Sequence, residues 1–141
     1  MRLRFLSILN VWCVGLLLAI QFPAQAAEWN PQAFAKEDTI QIRTIGPTEG
    51  EHWFPVWLVV LDGQVYVRLG KPAAERVTKN TTAPYFAVKI AGQQFERVKG
   101  ETAPDMASAV ADAMAGKYWT DIFVRYMTHP LTLRLIPEEQ K

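Results

Sequence analysis

Two histidines, His52 and His129, are the residues of this sequence best suited to bind a metal ion or a haem iron. A neutral imidazole is the commonest metal ligand that a protein side chain supplies. The two residues lie far apart in the sequence and do not have the spacing of a zinc site. The sequence therefore favours a loop position for each histidine, with iron or metal binding as the alternative.

Nucleophiles and phosphate-binding loops receive no support from the sequence. Ser108 is the one serine beyond residue 27, and no Gly-x-Ser-x-Gly motif surrounds it. The single cysteine, Cys13, lies in an apolar N-terminal run, so we expect neither a disulfide nor a reactive thiol in the working protein. Neither a P-loop nor a Gly-x-Gly-x-x-Gly motif occurs. We therefore assign no catalytic residue and no set of metal ligands.

Residues 1–27 have the order of a secretory signal peptide. Arg2 and Arg4 form a basic start, an apolar run follows, and Ala-Gln-Ala ending at Ala26 fits the cleavage pattern of small residues. We expect a periplasmic or secreted protein whose single domain covers residues 28–141. An uncleaved N-terminal anchor is the alternative, and N-terminal sequencing of the exported protein separates the two.

The charge of residues 28–141 excludes two classes of partner. Without Arg2 and Arg4, 13 Lys and Arg residues stand against 14 Asp and Glu residues. A nucleic-acid-binding protein needs a basic surface, and attachment to an anionic membrane needs a basic segment. We therefore expect no nucleic acid as a partner and, after signal cleavage, no membrane.

Alternating and apolar runs predict six strands that could position a site. Asp62-Gly63 is the strongest hairpin signal, because both residues tolerate the left-handed backbone of a tight turn. Val65, Val67 and Leu69 then alternate with Tyr66 and Arg68, so the two sets face opposite sides of a sheet. The six predicted strands are Thr39–Ile45, Trp53–Leu61, Gln64–Leu69, Tyr85–Ile90, Gln93–Lys99 and residues 131–136.

A helix is predicted between the fifth and sixth strands. Thr102 has the position of an N-cap and Asp105 lies three residues later. An apolar stripe at helical spacing follows, and Gly116 is a natural end for the helix. A second, two-turn helix is predicted over residues 73–79. The fold class is thus mainly β with some α: a small antiparallel barrel with a flanking helix near 104–116.

Three stretches between Thr39 and Val98 carry a family resemblance. They are Ile42-Arg43-Thr44, the hairpin sequence from Val56 to Arg68, and Arg76-Val77-x-x-Asn80. Together they resemble the FMN-binding split-barrel superfamily. They are most similar to its small members related to pyridoxamine-phosphate oxidases, deazaflavin-dependent nitroreductases and DUF2255-type proteins. The resemblance implies a six-stranded antiparallel split β-barrel, a bound flavin such as FMN, and a homodimer.

The resemblance also implies which residues bind the cofactor. In such flavoproteins a basic residue on the third strand and another just after it bind the cofactor phosphate, and Arg68 and Lys71 match them. Arg76 is a further candidate, and Tyr66 and Trp57 are candidate contacts beside the same ligand. An arginine on a rigid strand suits phosphate because its planar fork donates two hydrogen bonds. The alternative is that Tyr66 and Arg68 form only the solvated face of a barrel strand.

Two functions from different classes follow from these residues. The first is an exported flavin-binding protein, with oxidoreductase chemistry carried by the flavin itself. The second is a non-catalytic barrel that binds a small molecule or a protein partner, with haem binding through His52 or His129 as a weaker variant. The convergence of Arg68, Lys71 and Arg76 beside an open apolar cleft would favour the first function.

Overall fold

Alternating apolar side chains close six strands into one barrel. The computed structural model describes residues 27–119 and 129–138. Every pair of neighbouring strands is antiparallel. The strands are β1 (Thr39–Gly46), β2 (Gly50–Leu61), β3 (Gln64–Leu69), β4 (Tyr85–Ile90), β5 (Gln93–Thr102) and β6 (Leu131–Pro137), and they close in the order β1-β2-β3-β6-β5-β4. The predicted fold class is confirmed.

Short helices lie at the ends and on one side of the barrel. They are α1 (Pro31–Phe34), α2 (Lys71–Thr78) and α3 (Ala107–Lys117), with a 3-10 turn at Pro104–Met106 before α3. The predicted flanking helix is therefore present. Among the described residues, no helix is long and apolar enough to cross a membrane. Residues 1–26 of the predicted signal peptide lie outside the described residues, so export stays a prediction.

The β2–β3 hairpin forms as the sequence predicts. Asp62 has φ of 50° and Gly63 has φ of 71°, which is the backbone of a tight turn that matches the twist of the two strands. Behind the turn, Val65, Val67 and Leu69 are fully buried inside the barrel. The interior is completed by apolar residues of all six strands and by Phe34 of α1.

Helix α3 covers the outer face of the hairpin. Val59 of β2 is paired with Tyr66 of β3, and both pack against Val110 and Met114 of the helix. Tyr66 is therefore buried, at 5% exposure, and does not belong to a solvated strand face. Strand β2 is thus covered on both faces over part of its length, as its apolar run predicts.

The start and the end of α3 differ from the sequence prediction. Strand β5 continues to Thr102, which pairs with Leu133 of β6, so Thr102 belongs to the sheet and does not cap a helix. The 3-10 turn follows, and α3 starts at Ala107 without a side-chain cap. At the other end the helix runs through Gly116 to Lys117. Gly116 does not adopt the positive φ that would end a helix at a glycine.

Candidate functional site

A partly open cavity of about 320 Å³ lies between β2, β3 and the helices α2 and α3. Its walls are mostly apolar and include Val56, Trp57 and Met114. Two side chains capable of carrying charge, Arg68 and His129, line the same cavity. Apolar walls with a few polar groups are typical of small-molecule sites, which start at about 300 Å³.

Strand pairing explains why Arg68 and His129 line the same cavity. Leu69, at the end of β3, pairs with Leu131, at the start of β6. His129 lies two residues before Leu131, so it enters beside the end of β3 where Arg68 is located. Both side chains are half-buried. Neighbouring strands thus bring together two residues that are far apart in the sequence.

Trp57 belongs to the same site. Leu58 pairs with Val67, and the next step of that register brings Trp57 level with Arg68. Because side chains alternate along a strand, Trp57 and Arg68 both point away from the barrel interior that Leu58 and Val67 fill. Two of the site residues proposed from the sequence therefore line one cavity.

The other two basic candidates lie elsewhere. Lys71 is exposed at the first position of α2 and is not among the residues that line this cavity. Arg76 lines a separate cavity of about 250 Å³, where its Nη2 donates to Oε1 of Glu49 at 3.0 Å. Arg68, Lys71 and Arg76 thus do not converge on one apolar cleft. Their role in phosphate binding stays a prediction.

Tyr66 is buried under α3, in the same cluster as Met114. Its neighbour across the strand pair is Arg134, which is hydrogen-bonded to Glu101. Tyr66 is not among the residues that line the cavity. This arrangement gives Tyr66 a packing role in the described structure, and ligand contact by Tyr66 stays a prediction.

Asn80 has a structural role in the motif that suggested the family. Its side-chain oxygen accepts a hydrogen bond from the backbone N–H of Ile45 at 2.9 Å, and its amide donates to the carbonyl of Tyr85 at 2.9 Å. The side chain is buried at 5% exposure. Asn80 therefore ties the end of α2 to β1 and β4, because buried backbone groups need such partners.

His52 lies in a different environment from His129. Its Nδ1 is 3.6 Å from Oε1 of Glu49, and its ring lies near Phe54. It does not line the main cavity. Within residues 27–119 and 129–138, no group of three His, Cys, Asp or Glu side chains could hold a metal ion. Of the two histidines, His129 is the one placed to contact a ligand in the apolar cavity.

Tyr118 is a part of the site that the sequence prediction missed. Its ring stacks on Trp57 with centroids 4.4 Å apart and planes 4° from parallel. Its hydroxyl oxygen lies 2.8 Å from the carbonyl oxygens of both Asp38 and Leu58. Tyr118 lies four residues after Met114 and continues the apolar stripe of α3. That spacing is the sequence signal that could have identified it.

Lys117 forms a second set of bonds at the same place. Its ammonium donates to the carbonyl of Glu37 at 2.6 Å and to that of Leu58 at 3.1 Å. Burial lowers the pKa of Lys117, and burial raises the pKa of the Tyr118 hydroxyl. In both cases the cause is loss of water around the charged form. Lys117 and Tyr118 together hold the end of α3 against β2 and the chain before β1.

Comparisons with known proteins identify the fold and no closer relationship. No family model matches this sequence, and no curated protein matches it. A solved structure of HutZ, described as the heme storage protein from Vibrio cholerae, is similar at a TM-score of 0.57 and 14% sequence identity. The match covers 77% of this chain and 88% of that chain. At this identity the likeness concerns the backbone alone, and with the closed six-stranded barrel it fits a split-barrel fold.

Proposed function

We propose that this protein is a non-catalytic split barrel that binds a planar, anionic small molecule, with haem as the first candidate. The observation that carries the proposal is that Arg68 and His129 line one largely apolar cavity beside Trp57. Each residue suits a different part of such a ligand. An arginine binds carboxylate or phosphate, and a histidine binds iron.

Haem has the chemistry that these walls would accept. It is a flat conjugated ring with an iron at its centre and carboxylate groups at one edge. His129 would bind the iron, Arg68 would bind a carboxylate, and Trp57 with Met114 would cover the ring. The likeness to a haem storage protein with the same type of barrel supports haem as the first molecule to test. A bound haem would supply the iron centre, and the protein would supply its ligand and its shelter from water.

A flavin nucleotide is the second candidate. Arg68 and Trp57 in one cavity would suit a phosphate group and a flat ring system. Lys71 and Arg76, which the flavin hypothesis also needs, do not line that cavity. The geometry therefore favours haem over FMN as the ligand.

Haemin titration tests the proposal. Wild-type protein is expected to shift the haemin absorption band, and His129→Ala and Arg68→Ala are each expected to weaken binding at least about tenfold. Loss of an iron ligand commonly costs at least this much, and a charge-assisted contact of about 1.5–3 kcal/mol corresponds to about tenfold to a hundredfold. Visible absorption at increasing haemin gives the affinities.

The matched controls are residues of the same types outside the cavity. His52→Ala and Arg76→Ala should bind haemin as the wild type does, because neither side chain lines this cavity. Equal affinity in His129→Ala and wild type would remove His129 from the proposal. Quenching of flavin fluorescence by wild type, without a haemin shift, would replace haem with FMN as the ligand.

Homodimerisation is a further prediction that bears on the completeness of the cavity. The cavity is partly open, and in the family that the sequence resembles the cofactor commonly lies between two subunits. Sedimentation at micromolar concentration and above is expected to show a dimer. A monomer at every concentration would mean that one chain alone makes the site.

A further inference from the structure

The stacked pair Trp57–Tyr118 restricts which surface of Trp57 a ligand can reach. One face of the Trp57 ring is covered by Tyr118, whose plane lies 4° from parallel at a centroid distance of 4.4 Å. Trp57 nevertheless lines the cavity, and Tyr118 does not. The indole ring therefore faces the cavity with its opposite face or its edge.

The Tyr118 ring is itself fixed at three backbone points. Its hydroxyl accepts a hydrogen bond from the N–H of Leu58 at 3.2 Å, and its oxygen lies 2.8 Å from the carbonyls of Leu58 and Asp38. Lys117 adds bonds to the carbonyls of Leu58 and Glu37. Since Leu58 directly follows Trp57, these bonds hold the backbone beside the tryptophan as well as the ring behind it.

We infer that Trp57 is the stacking wall of the cavity and that Tyr118 is a positioning residue, which holds the indole ring in the plane where a flat ligand can stack on it. The inference rests on the proposed small-molecule function and adds which side chain stacks on the ring of the ligand and which side chain positions it. The site selects an anion that carries a flat conjugated ring over an aliphatic anion of similar charge. Arg68 binds the anionic group of the ligand, and Trp57 stacks on its ring.

Stacking contacts are strong enough to be measured. When an aromatic side chain that stacks on a ligand ring is removed, the affinity for the ligand commonly falls about tenfold or more. A buried neighbour adds to this by limiting the orientations that the ring can adopt before binding, so less freedom is lost on binding. Removal of Tyr118 should therefore weaken binding even though Tyr118 does not line the cavity.

Tryptophan variants of the full chain test the wall, with haemin as the probe. Trp57→Leu is expected to weaken haemin binding about tenfold, whereas Trp57→Phe should stay within about threefold of the wild type because it keeps a ring. Trp53→Leu is the matched control, since Trp53 is half-buried on the same strand but lies beside Lys89, away from the cavity. Wild-type affinity in Trp57→Leu would overturn the inference.

Tyrosine variants test the positioning role. Tyr118→Leu removes the ring and the hydroxyl and is expected to weaken haemin binding about fivefold to tenfold, while Tyr118→Phe keeps the stacked ring, loses only the hydroxyl bonds and is expected to weaken binding about twofold to threefold. Both variants lose the hydroxyl bonds, so a purely structural role would weaken the two alike and would overturn the positioning role. Tyr85→Phe, on β4, is the control for loss of a tyrosine hydroxyl. If Tyr118→Leu does not fold, the comparison of Tyr118→Phe with wild type and the Trp57 variants decides.

The two proposals fail in different ways. If wild-type protein binds neither haemin nor FMN, the proposed function is wrong, and the inference falls with it. If wild type binds haemin and Trp57→Leu binds it equally well, the proposed function stands and the stacking wall is wrong.

A competition with butyrate and benzoate, two carboxylates of which only one carries a ring, adds a direct test of the ligand class. Benzoate should displace haemin at lower concentration, and equal displacement would contradict the selection for a ring.

Discussion

Val59→Asp should lower the free energy of unfolding by about 3–5 kcal/mol, which is a large part of the stability of a domain of this size. Val59 is 4% exposed and lies between the barrel wall and helix α3. Its neighbours there are Tyr66, Val110 and Met114, which offer an added carboxylate little compensation for the water that it loses. Urea unfolding followed by circular dichroism measures the difference.

Two control variants separate the buried charge from other effects. Val59→Thr keeps the shape of the side chain and adds only a hydroxyl, so its cost should be about 1–3 kcal/mol. Gln64→Asp places the same carboxylate on an exposed position of the neighbouring strand and should change stability by less than about 0.5 kcal/mol. An unchanged unfolding midpoint in Val59→Asp would show that α3 does not cover this face in solution.

The strands could be predicted from the sequence because their signals are local. Val65, Val67 and Leu69 alternate with outward residues over one strand, and the Asp-Gly pair before them adopts the positive φ values that a tight turn requires. Burial of one face then fixes the register. The prediction of α3 was less accurate at its start, since Thr102 fits a local capping rule but pairs with Leu133 in the sheet. Strand pairing is non-local and is not visible in a sequence window.

The site shows the same division between local and non-local information. Arg68 was predicted as a ligand contact, and it lines the cavity with Trp57. His129 was only an alternative, because nothing in the sequence shows that the segment before β6 lies beside the end of β3. Lys71 is three residues after Arg68, yet the change from strand to helix at Gly70 places it outside the cavity lining. Distance along the chain therefore did not predict distance in space.

Phe34→Ala is expected to have the second large effect on stability, about 3–5 kcal/mol. Phe34 is fully buried although it lies in the chain segment before the first strand, which is polar in most of its sequence. Its ring contacts Trp29 and Phe95 edge-on, at centroid distances of 5.1 and 6.1 Å. Trp29 is itself 5.1 Å from Phe95, so the three rings close one end of the barrel. Thermal or urea unfolding measures the loss.

Helix α1 has only one turn, so its position depends on the burial of Phe34. A four-residue helix is not stable by itself, and the Asn30 cap and Pro31 contribute only at its start. Phe34 therefore supplies the fully buried side chain of this segment, which Trp29 and the bonds from Lys117 and Tyr118 also hold on the barrel. The exposed Lys36→Ala is the matched control that should leave stability unchanged within about 0.5 kcal/mol. Wild-type stability in Phe34→Ala would show that the segment does not pack on the barrel in solution.

Loss of the Phe34 side chain should also weaken ligand binding in the cavity. The carbonyls of Glu37 and Asp38, which follow α1, lie within hydrogen-bonding distance of the Lys117 ammonium and the Tyr118 hydroxyl. If the segment leaves the barrel, Tyr118 keeps only its bonds to Leu58, and its ring has less support behind Trp57. Folded Phe34→Ala protein is therefore expected to bind haemin a few-fold more weakly than Lys36→Ala, which retains the segment. Equal haemin binding by the two variants would contradict this prediction. It would show that Phe34 stabilises the barrel without affecting the position of Trp57.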